Sequence, residues 1–479
     1  MPIHVYNTLS RKKENFAPSI EETIGVYVCG VTPYSSTHLG HARPSVVWDV
    51  IKKFLVWRGY RVYHVQNFTD VDDKIIARAN EEGISPLELS AKYAQDYLES
   101  MDALGVSRAD IYPKVSEHIP EIINMIERLI KKGYAYPSEG NVYYDVEKFT
   151  DYGKLSNQRL DELQSGTRFE VDPNKKNPMD FALWKSAKEG EISWDSPWGP
   201  GRPGWHIECS VMSEKYLGSN FHFHGGGNDL IFPHHENEIA QSEAATGQPL
   251  ARYWLHNGMM NFKDSKMSKS LGNIVTIKDV LKKYPKELIR FFILSNHYRS
   301  ELEYHEEKLT ESNKGLRRLN ETVKNAICAI SLAKNRELNK QDQRILEKIE
   351  QCEKDYIAAM EDDFNSALAI ASLFDLCREL NGYLSTTNQE GINATVLEKA
   401  VETFKVLAGD ILGILILDEE KSSDDLVNPL MELILELRQD LRKEKNFKLA
   451  DKIRDKLSEL NILVEDTPQG PRWKQMNGQ

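Results

Sequence analysis

Two hydrophobic periods alternate along the first seventy positions of the chain, and the switches between them predict a βαβ unit. Ile24–Cys29 (IGVYVC) is a β-branched and aromatic run ended by Gly30, which reads as a buried strand. Val46, Val47, Val50, Ile51, Phe54 and Leu55 then recur at helical spacing within Ala42–Arg58, and Gly59 stops that helix. Arg61–Phe68 (RVYHVQNF) returns to strand-like residues. Strand, helix and strand at this length predict parallel strands joined by a right-handed crossover. Cys29 then falls at the carboxyl end of the first strand, where open α/β sheets place their ligands.

The pattern continues less regularly. Residues 81–132 read as charged helices punctuated by Pro86, Pro113 and Pro120, and Tyr134–Phe149 reads as a hairpin. Asp172–Pro203, rich in Pro, Gly and Trp, reads as irregular loops, so that roughly 115–200 forms an insertion between the halves of the α/β region. Gly204–Glu238 predicts a helix closed near Gly218, a strand, a glycine-rich turn, and a helix starting at Pro233 that runs to Thr246. Tyr253–Phe262 is strand-like. Four helices follow, at Leu302–Leu332, Asp342–Met360, Ser366–Leu384 and Ala394–Leu412. Asp418–Pro429 is an acidic, serine-bearing break that reads as a linker. A helical pair, Leu430–Lys443 and Phe447–Leu460, and the segment Ile462–Trp473 end the chain. The expected fold is α/β, a Rossmann-like parallel-sheet domain with an insertion, then a helical bundle and a small α+β tail. The expected domains are 1–300 (with a loop and junction at 263–300), 301–420 and 425–479.

Composition adds limits. Five cysteines (Cys29, Cys209, Cys328, Cys352 and Cys377) are an odd number at wide spacing, which argues against a disulfide framework and for a reducing compartment. No signal-peptide pattern follows Met1, and no stretch approaches the roughly 18 apolar residues of a membrane span. A cytoplasmic protein without membrane contact is expected. The net charge of −12 argues against a non-specific polyanion binder and confines any nucleic-acid contact to local patches. The tail is such a patch: residues 430–479 hold ten Lys or Arg against nine Asp or Glu, and Arg472-Trp473-Lys474 sets an aromatic between two cations. A Trp buried for stability is the plainer reading of Trp473.

Candidate chemistry sits at three places. Cys209, His234 and Glu238 offer a thiol, an imidazole and a carboxylate, three ligands suited to zinc in search of a fourth, and Cys29 at its strand end is a plausible one. The lone cysteine is otherwise a small buried hydrophobe. His38-Leu39-Gly40-His41 leads into a helix, where the start of the helix favours anions and Gly40 lets a polyphosphate approach closely; exposed loop histidines are the alternative. Lys266 and Lys269, three apart among serines, can neutralise phosphate oxygens, although most such pairs lie on solvated loops.

Together these motifs resemble a known family. HLGH (38–41) and KMSKS (266–270), on either side of an α/β core, are similar to the two signatures of class I aminoacyl-tRNA synthetases. Cys29, GWHIECS (204–210), HGGGNDL (224–230) and FPHHENEIAQSEA (232–244) resemble the cysteinyl-tRNA synthetase branch. The likeness runs the length of the chain, through DDFNSALAI (362–370) to KLADKIRDKLSELNILVEDTPQGPRW (448–473). HLGH departs from the family's HIGH only in one apolar residue.

The resemblance implies one Zn²⁺ held by Cys29, Cys209, His234 and Glu238. It implies Thr69, Trp205 and Asp229 around the amino acid, with His206 and His224 also in the pocket. ATP, with Mg²⁺, falls to His38, Gly40, His41, Lys266 and Lys269, of which the two histidines and two lysines serve catalysis. It further implies a tRNA-binding helical bundle and an anticodon-binding tail bearing Arg472, Trp473 and Lys474. The implied reaction is activation of L-cysteine to cysteinyl-adenylate and transfer to the 3′-terminal ribose of tRNA(Cys), by a monomer. A cation with soft ligands suits this task, because it binds the substrate as thiolate while the hydroxyl of serine competes poorly. A cysteine ligase of thiol biosynthesis shares the adenylate chemistry but lacks much of the tail. A zinc hydrolase leaves KMSKS without a role, and an inactive RNA-binding protein leaves both signatures without one.

Overall fold

A parallel sheet of four strands, in the order 251–257, 221–227, 23–31 and 61–68, carries the first part of the chain. The structure, a computed structural model, describes residues 2–158, 172–262, 275–331, 333, 337–386, 391–416, 423–460, 462–467 and 470–475. A polar hairpin, β1 (Ile3–Asn7) and β2 (Lys12–Phe16), precedes the sheet. The predicted βαβ unit follows as β3 (Thr23–Val31), α1 (Leu39–Trp57) and β4 (Arg61–Phe68). Helices α2 (Asp73–Glu82), α3 (Pro86–Ala103) and α4 (Ile119–Lys131) come next. Ser85 and Glu88 form a reciprocal capping box on α3, with Pro86 at its first position.

The segment 172–203 is more regular than its Pro, Gly and Trp content predicts. It supplies β7 (Phe181–Ser186) and β8 (Gly201–Pro203), which extend the hairpin of β5 (Ala135–Ser138) and β6 (Asn141–Tyr144) into an antiparallel sheet. Fully buried Trp184 and partly buried Trp198 pack beside each other, so the aromatic content is core and not loop.

The chain then returns to the parallel sheet through α5 (Ile207–Leu217), β9 (Phe221–Gly227), α6 (Glu236–Thr246) and β10 (Ala251–Asn257). β9 pairs with β3 on the side away from β4. Connections therefore leave β3 and β9 in opposite directions, and a crevice opens at the carboxyl ends of these two strands. Gly225 lets α1 press onto the sheet, since a Cβ there would lie 2.0 Å from the Trp48 ring.

The strand predicted over 253–262 is interrupted, with β11 (Met260–Phe262) pairing in parallel with β12 (Leu302–Tyr304). Between them lie α7 (Ile277–Lys283) and α8 (Lys286–Leu294). The first helix of the bundle thus starts after β12, as α9 (Glu306–Ile330), and α10 (Lys340–Glu361), α11 (Ser366–Thr386) and α12 (Ala394–Phe404) follow. One compact unit spans Met1–Leu415, and a second spans Ile416–Gln479.

In the second unit α13 (Ser423–Lys443) begins inside the acidic break read as a linker. α14 (Phe447–Glu459) and an antiparallel pair, β13 (Ile462–Thr467) and β14 (Gly470–Gln475), complete it. No helix among the described residues is long and apolar enough to cross a membrane.

Candidate active site and metal centre

The crevice is a cleft of about 660 Å³ whose walls include Cys29, His38, His41, Trp205, Asp229 and Asn257. Its floor is the end of β3 and the Gly226-Gly227 end of β9, where the absence of side chains leaves the backbone open to a ligand.

At one end of the cleft four side chains meet. Cys29 Sγ lies 3.7 Å from Cys209 Sγ and 3.3 Å from Glu238 Oε1. His234 Nε2 is 3.6 Å from Cys209 Sγ and 2.9 Å from Glu238 Oε1. Donor atoms of Cys29, Cys209, His234 and Glu238 all lie within 4.8 Å of one another. Their chain positions explain how: β3 delivers Cys29, the first turn of α5 delivers Cys209, and a turn ahead of α6 delivers His234, which leaves Glu238 on that helix's first turn. Helical backbone runs from Pro233 through one π-helical turn directly into α6, as predicted, and the four-residue spacing brings His234 and Glu238 together.

The electrostatics favour a cation here. Burial opposes ionisation of Cys209, but hydrogen bonds with Cys29 and His234 outweigh it and bring the thiol down to about 6. Burial likewise opposes a charged His234, yet Glu238 and Cys209 lift the imidazole to about 10. Glu238 is held well below the usual carboxylate range by His224 and His234 in spite of its burial. Burial, together with Cys209 and Glu238, keeps the Cys29 thiol well above its ordinary value. A thiolate and a carboxylate thus face a charged imidazolium at His234. Two sulfurs, an imidazole nitrogen and a carboxylate oxygen are a donor set suited to Zn²⁺.

Beneath these four lies a layer of histidines. His224 Nε2 is 2.7 Å from Glu238 Oε2, and His235 Nε2 is 3.2 Å from Cys29 Sγ. His235 Nδ1 continues to His256 Nε2 at 2.8 Å, and His256 Nδ1 to Thr8 Oγ1 at 2.8 Å. Cys29, His224, His235 and Glu238 form a second possible donor group that shares two members with the first. His224 is fully buried, under the cleft wall, and burial holds His235 well below its ordinary value and His256 down to about 3. Neutral imidazoles of this kind orient ligating groups. His235 and His256 escape sequence reading; the doublet at 234–235 is its only trace.

The other predicted residues fall around this cluster. Trp205 stacks on His234 with ring centroids 4.3 Å apart, and His206 Nδ1 lies 2.9 Å from His234 Nδ1. Asp229 is exposed at the cleft mouth. Thr69 is buried, and its hydroxyl donates to Glu208 Oε2 at 2.8 Å. Asn67 links the two strands, its Oδ1 accepting the Gly30 N–H at 2.9 Å. Gly30 is itself irreplaceable, because a Cβ there would lie 1.6 Å from the Asn67 carbonyl oxygen. Gly30→Ala must push β3 off β4 beside Cys29. We expect a stability loss of about 1–3 kcal/mol or more. A variant that melts like the wild type would contradict this packing.

At the opposite end of the cleft His38 caps α1: its Nδ1 accepts the Gly40 N–H at 3.1 Å, and its own N–H donates to His41 Nδ1 at 3.4 Å. The two rings stack with centroids 3.9 Å apart. Burial, with His38 adding to it, pushes His41 down to about 3, so it is a neutral hydrogen-bonding group at ordinary pH. Lys266 and Lys269 lie outside the described residues. In the second unit the backbones of Arg472, Trp473 and Lys474 pair with Glu465, Val464 and Leu463, and the Trp473 side chain is partly buried.

Comparisons with known proteins identify the family. A family model described as the tRNA synthetases class I (C) catalytic domain matches residues 15–314, and one described as the DALR domain matches residues 355–416. The chain is 52% identical to the cysteine–tRNA ligase of Pelotomaculum thermopropionicum, over 98% of this chain and 99% of that one. It is 51% identical to the corresponding ligase of Thermococcus onnurineus over the whole of both chains. Among solved structures, Mycobacterium tuberculosis methionyl-tRNA synthetase in complex with methionyl-adenylate shares the fold, with a TM-score of 0.62 at 15% identity over 81% of this chain and 89% of that one. With its two signatures in place and half its residues shared with these ligases end to end, the chain belongs to the cysteine–tRNA ligase family of class I aminoacyl-tRNA synthetases.

Proposed function

We propose that this protein activates L-cysteine with ATP and transfers it to the 3′-terminal ribose of tRNA(Cys). The observation that carries the reading is the sharing of one cleft by a Cys29–Cys209–His234–Glu238 cluster and the histidine-capped start of α1. In the first step a carboxylate oxygen of cysteine attacks the α-phosphorus of ATP, forming the mixed anhydride and expelling pyrophosphate. In the second, a ribose hydroxyl of the tRNA attacks the carbonyl carbon and AMP leaves.

Cys29, Cys209, His234 and Glu238 hold Zn²⁺ in this reading. Zn²⁺ held there would supply a soft Lewis acid that favours a thiolate over the hydroxyl of serine. Selection built on one strong polar contact reaches about 10⁴–10⁵-fold, which makes a separate editing site unnecessary. Trp205 and Asp229 bound the amino-acid end, with Asp229 facing the substrate ammonium, and His206 and His224 hold His234 and Glu238 in place. The ATP, accompanied by Mg²⁺, lies along Gly40 toward His38 and His41, which donate hydrogen bonds to its phosphates. Lys266 and Lys269 supply positive charge to the leaving pyrophosphate; this role rests on the sequence signature. Positioning and charge neutralisation supply the catalysis, and no covalent enzyme intermediate is needed.

Residues 1–300 form the catalytic domain in this scheme, 301–420 a tRNA-binding bundle, and 425–479 an anticodon-binding tail in which Arg472, Trp473 and Lys474 contact the nucleic acid. A cytoplasmic monomer completes the proposal. The test is cysteine-dependent ATP–pyrophosphate exchange followed by charging of tRNA(Cys) with labelled cysteine. Exchange without charging would favour a ligase with another acceptor, and absence of exchange would overturn the reading.

A further inference from the structure

The motif at residues 361–366, at the junction of α10 and α11, has no part in the scheme above, yet it is a tightly constrained turn. Asp363 and Phe364 both adopt left-handed backbone conformations, at φ 63° and 50°. Two successive non-glycine residues in this region are strained, and such strain persists where surrounding contacts over-determine it. Those contacts are abundant. Asp363 is fully buried, its N–H donates to the His4 carbonyl at 2.8 Å, and its Oδ1 accepts the Tyr6 N–H and the Tyr298 hydroxyl, each at 2.8 Å. Its Oδ2 accepts Arg299 Nε at 2.7 Å and lies 3.4 Å from His297 Nε2. Ser366 donates to the Leu294 carbonyl, and Phe364 packs against Phe54 of α1.

The turn that Asp363 grips has an unusual occupant on its other side. Arg43, one turn into α1 and 1% exposed, directs its guanidinium at backbone carbonyls: Met259 at 2.8 Å, Tyr298 at 3.2 Å, His297 at 3.4 Å, and Ser300. Gly258 N–H in turn donates to the Tyr298 carbonyl at 2.9 Å. Arg43, Gly258 and Met259 all line the cleft at its HLGH end. A buried cation held by carbonyls is only as well placed as the backbone that presents them.

We propose that Asp363 is a positioning residue for adenylate formation. It fixes the 297–300 turn, whose carbonyls hold Arg43, and so sets the separation between the start of α1 and the Asn257–Met260 wall across the ATP end of the cleft. The inference rests on the adenylation reading given above. Asp363 touches no substrate, and the bundle thereby controls a distance in the catalytic half. Displacement of positioning groups by about 1 Å is enough to cost about a hundredfold in rate.

Asp363→Asn suits the test, since asparagine tolerates a left-handed backbone and its Oδ1 still accepts from Tyr6 and Tyr298, whereas Nδ2 cannot accept from Arg299. In cysteine-dependent ATP–pyrophosphate exchange we expect kcat to fall about ten- to a hundredfold. The KM for cysteine stays within about twofold and zinc per chain is unchanged, because the thiol end of the cleft does not depend on the 297–300 turn. Arg43→Lys, which loses the planar fork, should lower kcat as well, and the double variant should be no worse than the poorer single one. Tyr298→Phe keeps every charge and removes one contact to Asp363; it should show a smaller loss with the same pattern, and it decides the matter if Asp363→Asn fails to fold. Effects of Asp363 and Arg43 (or of Tyr298 and Arg43) that multiply independently would overturn the proposal. So would zinc content and cysteine affinity falling in step with kcat. A wild-type protein without exchange would instead refute the adenylation reading itself.

Discussion

Replacing Cys209 with serine should remove the cation and with it the recognition of cysteine, while the ATP end of the cleft stays intact. The Cys209 sulfur is 3.7 Å from Cys29 and 3.6 Å from His234, and its thiol is brought down to about 6, so it enters the cluster as the thiolate. A serine hydroxyl in its place stays neutral and binds Zn²⁺ weakly. Loss of a group that merely orients a ligand costs about 10–100-fold in metal affinity, and loss of a ligand itself costs more. Zinc measured per chain should drop to a small fraction, and cysteine-dependent exchange should fall by about 10⁴, the margin that one decisive polar contact supplies. The KM for ATP should hold. Full zinc with an unchanged KM for cysteine would refute the selector role.

His41→Ala should produce the reverse phenotype. Removing one preorganised donor from a site of charge development costs about 10²–10³ in kcat, while zinc content and cysteine affinity remain. Because burial and the neighbouring His38 hold His41 down to about 3, it is neutral throughout the assay range. The loss should therefore be the same at every point between about pH 6 and 9, unlike that of a histidine titrating near 6.5. A loss that shrank as pH rose would identify His41 as a cation and contradict its assigned state. Removing the side chain also deletes half of the α1 capping box, worth about 1 kcal/mol, so thermal stability should be recorded alongside. The two variants separate the cleft into halves that fail independently.

Local patterns made the central unit readable. The period switch across Ile24–Phe68 placed Cys29 at a strand end, and helical spacing joined His234 to Glu238 even though the regular helix begins only at Glu236. What escaped was built from long-range pairing. β2, KKENF, has no apolar alternation because only Phe16 is buried in it. β7 and β8 hide behind Pro and Gly because they gain their identity from a neighbouring hairpin. His256 lies on β10 and earns its place by touching His235 and Thr8, neither of which is near it in sequence. Charge misled in another way: −12 weighs against nucleic acid, yet the relatives are tRNA ligases, because net charge averages over surfaces that need not share a partner. The motif at 362–370 was visible as a string, but its grip on the 297–300 turn was not.

Cys29 and Cys209 meet across 180 positions of chain, and that separation has a consequence during synthesis. At about 5–20 residues per second, Cys29 leaves the ribosome roughly 10–40 s before Cys209 follows. For that interval the thiol is without all three groups that later join it, and two of them, His234 and Glu238, emerge later still. The parallel sheet is equally incomplete, since β9 must slot in beside β3 after β4 is already in place. Formation of the four-residue cluster therefore closes an assembly that translation leaves open, and Cys29 stays without its partners through most of the time that residues 1–300 take to be made.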